Sequence, residues 1–92
     1  MSKHLTINGH VQGVGYRAAF ADVANSLALS GWVRNRLDGS VEACVHGDAD
    51  SIREIITWAK SGPPAARVSD VTVQETDEAA PALPRVAIVA TR

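Results

Sequence analysis

Trp32-Val33-Arg34-Asn35-Arg36-Leu37-Asp38-Gly39-Ser40-Val41-Glu42-Ala43-Cys44-Val45 is the stretch that decides the fold. Val41, Ala43 and Val45 alternate, the period-two pattern of a strand with one buried face, and Trp32 to Arg36 supplies its partner. Leu37-Asp38-Gly39-Ser40 joins the two, and Asp-Gly between alternating runs is a strong signal for a tight hairpin. The apolar face of such a hairpin needs a cover, and helical patterns stand on both sides of it.

Upstream, Tyr16, Ala19, Phe20, Val23, Ala24 and Leu27 recur at helical spacing, which predicts an amphipathic helix from about Tyr16 to Leu29, closed by Ser30-Gly31. Leu5 and Ile7 alternate with Thr6 and Asn8 in a strand before it. Downstream, Ile52, Ile55, Ile56 and Ala59 mark a second helix, with Asp48 or Asp50 as its cap and Gly62-Pro63-Pro64 as its stop. Val68, Val71 and Val73 point to a fourth strand despite irregular spacing. Asp77 to Pro84 is a loop, and Val86 to Ala90 a short final strand. The order is βαββαβ with that extra strand. Two right-handed crossovers around one hairpin give an antiparallel sheet of four to five strands with both helices on one face. This is the α+β, ferredoxin-like sandwich, a fold that hosts many unrelated functions.

At 92 residues the chain accommodates a single domain, residues 1–92, and its 46% hydrophobic content is that of a globular protein. No apolar run nears the roughly 18 residues of a membrane span. Met1-Ser2-Lys3-His4 runs directly into alternating residues with no signal-peptide core, so a cytoplasmic location is expected. A net charge of −1 without a basic cluster argues against nucleic acid and membrane surfaces as partners. Cys44 is the only cysteine, which excludes an intrachain disulfide and a thiolate zinc cage. His4, His10 and His46 lie in separate segments without metal-ligand spacing. Cys44 and His46 share a strand face, but no third group is evident beside them, so an inert thiol is expected. Neither metal nor cofactor is implied.

The chemistry lies in His10-Val11-Gln12-Gly13-Val14-Gly15-Tyr16-Arg17, the link between the first strand and the first helix. Gly13 and Gly15 permit left-handed backbone angles that turn successive N–H groups into one concavity. The helix adds its own unpaired N–H groups and its positive end. Gln12 to Arg17 thus form a candidate phosphate cradle, against the plainer alternative of a tight turn. Arg17 favours the cradle: a cation in the first helical turn opposes the dipole by about 0.3–1 kcal/mol unless an anion lies between. No Gly-Lys-Ser/Thr ending makes this a nucleotide loop, and it holds no cysteine for thiolate chemistry.

Together with Gly31-Trp32-Val33-Arg34-Asn35-Arg36-Leu37-Asp38-Gly39-Ser40-Val41 and Gly47, the segment Gly9 to Arg17 resembles the acylphosphatase family, as does Ser61-Gly62-Pro63-Pro64-Ala65-Ala66-Arg67-Val68. The resemblance spans almost the whole chain. It implies metal-independent hydrolysis of the carboxyl-phosphate bond of a small acyl phosphate by a monomeric, cofactor-free enzyme. By position, Arg17 would bind the phosphoryl group and Asn35 would place the attacking water. Tyr16 stands where the family usually has Phe, adding a hydroxyl that needs a partner. Arg85 to Val89 lacks the aromatic residue common in the last strand. A non-catalytic acyl-phosphate sensor on the same scaffold is the rival reading; it would need the cradle and Arg17, but no water-positioning amide.

Overall fold

The computed structural model describes all of residues 1–92. Its elements are β1 (Ser2–His10), α1 (Tyr16–Ser26), β2 (Ser30–Asn35), β3 (Val41–His46), α2 (Ala49–Ala59), β4 (Arg67–Glu75) and β5 (Val86–Ile88). They build one five-stranded sheet in the order β4-β1-β3-β2-β5. β1 pairs antiparallel with β3 and β4, and β2 with β3, the ferredoxin-like arrangement. β5 differs: it lies parallel to β2, Gly31 to Val33 facing Val86 to Ile88, so the sheet is mixed. No helix is long and apolar enough to cross a membrane.

The hairpin forms as its turn chemistry dictates. Asp38 Oδ1 accepts bonds from the Ser40 backbone N–H (2.9 Å) and the Ser40 hydroxyl (2.6 Å). Gly39 takes φ 96°, the left-handed region open to glycine. Register then puts Val33 opposite Ala43 and Leu5 opposite the same residue, so Leu5, Ile7, Val33, Val41, Ala43 and Val45 share one face. Phe20 and Ala24 of α1 and Ile52, Ile55 and Ala59 of α2 close over it in one buried cluster.

Three local features depart from the sequence pattern or resolve it. α1 stops at Ser26 because Ala28 adopts φ 58° and reverses the chain, turning Leu29 fully into the core. A left-handed alanine costs about 1–2 kcal/mol, which burial of a leucine, worth about 1.5–3 kcal/mol, can offset. Ser30 and Gly31 are therefore not the stop but the start of β2. Asp48, not Asp50, caps α2, accepting from Ser51 N at 2.8 Å, while Asp50 pairs with Arg53. Finally, the irregular valines of β4 are explained by a bulge: Asn8 faces Asp70 but Gly9 faces Val68, leaving Ser69 as the extra residue. One inserted residue returns Val68 to the face of Val71, and both pack on the core.

β4 and β5 occupy opposite edges, so residues 76–85 must traverse the sheet. A ten-residue segment reaches roughly 33 Å when extended, ample for four strand spacings of about 4.8 Å each. The Trp32 indole donates to Glu78 Oε2, which places this crossing on the face away from the helices. Glu78 lies beside Cys44 and His46, which are buried on this face although it carries no helix.

Candidate active site

The site lies where β1 gives way to α1. Gly13 and Gly15 take φ 74° and 79°. A Cβ at either would touch nothing within 4 Å, so backbone angle and not crowding calls for glycine there. Gly15 is the N-cap of α1, offers no side chain to the helix, and no acidic residue follows in the first turn. The first N–H groups and the positive helix end are left for a ligand.

Arg17 stands in that turn, half-buried and without an ion pair. The arginines flanking Asn35 are committed elsewhere: Arg34 (2.7 Å) and Arg36 (3.2 Å) both bond Glu42 Oε1, and His4 bonds Oε2 at 2.7 Å. Burial works to raise the Glu42 carboxyl, but these bonds outweigh it and hold it below the usual carboxylate range. Those cations therefore sit on the opposite face, compensated, while the Arg17 guanidinium is free.

A shallow pocket of about 190 Å³ joins these parts, walled by Val11, Gly13, Gly15, Arg17, Ala18, Asn35 and Ile88. Asn35 faces the helix side of the sheet, paired with Val41. Its backbone carbonyl accepts from Arg92 N (3.2 Å). Its side-chain Oδ1 is buried and has no hydrogen-bond partner within the chain. Arg17 is the only ionisable residue of the wall, which holds no carboxyl, imidazole, amine or thiol.

Of the residues singled out in the sequence, Gly13, Gly15, Arg17 and Asn35 meet on this wall, while Gln12, Val14 and Tyr16 lie off it. Val14 packs against the core. The Gln12 amide donates to the carbonyls of Arg36 (2.8 Å) and Ser40 (2.9 Å), fastening the cradle to the hairpin that carries Asn35. Its side chain is thereby engaged, so any contact with an anion falls to its backbone. Tyr16 is 1% exposed and its hydroxyl donates to Ala59 O at 2.8 Å, near the C-terminus of α2. Burial pushes the phenol well above its ordinary value, so it remains a neutral donor. Tyr16→Phe is expected to cost about 0.5–1.5 kcal/mol in urea unfolding with hydrolysis unchanged; a loss of turnover would give the hydroxyl a catalytic part.

Val11, Ala18 and Ile88 line the pocket without having been named as site residues from the sequence. Ile88 arrives from the far end of the chain, held because Asn25 of α1 clamps Val86, accepting from its N–H (2.6 Å) and donating to its carbonyl (3.2 Å). Ile88 thus lends apolar wall from the strand that lacks an aromatic residue. Cys44 plays no part here: burial, then the adjacent Glu78 carboxylate, push its thiol up to about 12, leaving it protonated.

Fold and site together define an α+β sandwich whose pocket joins a glycine-rich helix start to one unpaired arginine and holds no acid–base group. A family model described as Acylphosphatase matches residues 3–82, and the chain belongs to the acylphosphatase family. It is 57% identical over 77 residues to an acylphosphatase of Azoarcus sp. (strain BH72), covering 84% of this chain and 76% of that one. With an acylphosphatase of Cupriavidus necator it shares 55% identity over 69 residues, 75% of each chain. The crystal structure of acylphosphatase from Bacillus subtilis superposes with a TM-score of 0.88 at 33% identity, over 96% of this chain and 97% of that one. The protein is accordingly a hydrolase of acyl phosphates.

Proposed function

We propose that the Gln12–Arg17 loop, through its backbone, and the free Arg17 guanidinium hold the phosphoryl group, and that Asn35 positions the water that attacks it. The observation that carries this reading is that Asn35 shares one pocket wall with the loop glycines and Arg17, its side-chain oxygen left without a partner in the chain. A small rotation of the side chain brings this oxygen to the pocket, where a water donating one proton to it has a lone pair free to face phosphorus. Loop N–H groups, the helix end and Arg17 stabilise the charge on the equatorial oxygens. Phosphoryl transfer is loose and asks chiefly for position and charge stabilisation. Asn35 cannot take up a proton, so the water's proton passes to solvent or to a phosphate oxygen of the substrate.

The leaving group supports metal-independent chemistry. A carboxylate of pKa about 4 departs without a proton, so neither a general acid nor a cation on the leaving oxygen is required. We assign residues 1–92 to one acylphosphatase-like domain that acts as a cytoplasmic monomer on small acyl phosphates, with no cofactor and no nucleic-acid or membrane partner. The test is hydrolysis in the presence of a chelator. Benzoyl phosphate should turn over, and an alkyl phosphate ester should react roughly 10²–10⁴-fold more slowly, the usual contribution of a positioned general acid. Equal rates on both compounds would sink this mechanism. Folded, phosphate-binding but inactive protein would make it a sensor.

A further inference from the structure

On the sheet face opposite the cradle, and toward the other end of the hairpin, lies a second constellation that the hydrolysis does not use. Cys44 and His46 point to that face, since Ala43 and Val45 between them belong to the core. Ser30 faces His46 at this end of the hairpin, whereas Asn35 faces Val41 at the other. Cys44 Sγ lies 3.4 Å from His46 Nε2, and a carboxylate oxygen of Glu78 completes a trio whose donor atoms are all within 4.8 Å of one another. Cys44 is fully buried and His46 is 6% exposed.

We propose that Cys44, His46 and Glu78 form a binding site for one divalent transition-metal ion of zinc type, which fastens the 76–85 crossing to the sheet. The donor set of one sulfur, one imidazole nitrogen and one carboxylate oxygen suits a borderline-soft cation, with a water as fourth ligand. Bond lengths of about 2.0–2.3 Å put neighbouring ligand atoms of a tetrahedron roughly 3.3–3.8 Å apart. The sulfur–nitrogen pair already meets that spacing. Glu78, on an exposed segment, is the group free to close in.

The outer partners are also in place. Ser2 Oγ lies 2.7 Å from His46 Nδ1 and can accept its proton, which leaves Nε2 as the metal-facing nitrogen. Trp32 Nε1 donates to Glu78 Oε2 and orients the carboxylate. Coordination releases the Cys44 proton to solvent and forms the metal–sulfur bond; no oxidation is involved. Since segment 76–85 leads into β5, the cation would tie down the strand that brings Ile88 to the pocket, without entering the pocket itself.

Titration of metal-free protein with Co²⁺ tests this directly. One equivalent should bind with a thiolate-to-cobalt charge-transfer band and the intense visible bands of a four-coordinate ion. Zn²⁺ should displace it and, at a hundredfold excess over Kd, raise Tm by roughly 10 °C or more. Glu78→Gln, which alters only an exposed side chain, should weaken binding at least about tenfold and leave benzoyl phosphate hydrolysis unchanged. Cys44→Ala should abolish the charge-transfer band. Absence of that band in the native protein overturns the site. So does undiminished affinity in Glu78→Gln, which would put the ion elsewhere. Neither result bears on the cradle and Asn35, because hydrolysis in chelator is scored separately.

Discussion

Asn35→Ala is expected to lose roughly 10²–10³-fold in kcat, the scale on which one aligned polar contact to the reacting groups contributes, while resisting denaturation at least as well as the native protein. The two halves have one cause. Oδ1 is a buried acceptor with no partner in the chain, and such a group costs about 1–3 kcal/mol of folding free energy. Alanine removes it from a strand whose backbone bonds stay intact, since β2 is paired on both sides. A residue kept for structure would show the opposite, a loss of stability on truncation. KM should change little, because in the proposed arrangement the loop and Arg17 hold the phosphoryl group without it. The measurement is steady-state hydrolysis of benzoyl phosphate beside urea unfolding of the same preparation. An Asn35→Ala protein that unfolds earlier and retains its turnover would make Asn35 an ordinary strand residue.

Arg17→Ala should fail differently, in affinity as well as rate. Its guanidinium has no ion pair in the chain and lines the pocket, so in the proposed arrangement its bonds to a phosphoryl group are its main interaction. A hydrogen bond to a charged group is worth about 1.5–3 kcal/mol. Even one such bond therefore weakens inorganic phosphate as a competitive inhibitor by roughly 10–150-fold, and the loss in kcat/KM should be larger. Arg17→Lys keeps the charge but not the planar fork, and should recover only part. Removing the cation from the first turn of α1 should also relieve about 0.3–1 kcal/mol of unfavourable dipole interaction. A protein that is slightly more stable yet binds phosphate poorly is the expected outcome. Unchanged phosphate inhibition would show that the loop amides alone hold the anion.

Much of this was legible in the residues themselves, and for a local reason in each instance. Asp38-Gly39 dictated the hairpin because a tight turn needs its left-handed angle, and Gly13 and Gly15 marked the left-handed turns before α1 by the same logic. The apolar periods of Tyr16 to Leu27 and Ile52 to Ala59 defined both helices and the face they bury. Arg17 stood out because its charge sits at the wrong helix end unless an anion is bound. These signals lie within a few residues of one another, where backbone sterics and periodicity act.

What the tertiary structure alone decided is everything that required distant segments to meet. The phenol of Tyr16 has its partner in Ala59, and Gln12 ties the cradle to Arg36 and Ser40, so the alignment of loop and Asn35 depends on bonds across 24 and 28 residues of sequence. The bulge at Ser69 could not be read from β4 by itself, because register is a property of two strands and is fixed by the apolar face of β1. β5 runs parallel to β2 because the chain crosses the sheet to reach the far edge, and Asn25 then secures it. Glu78 reaches Cys44 and His46 by the same crossing. No spacing rule could pair it with them, since side-chain chemistry names candidate donors while only the path of the chain sets which of them converge.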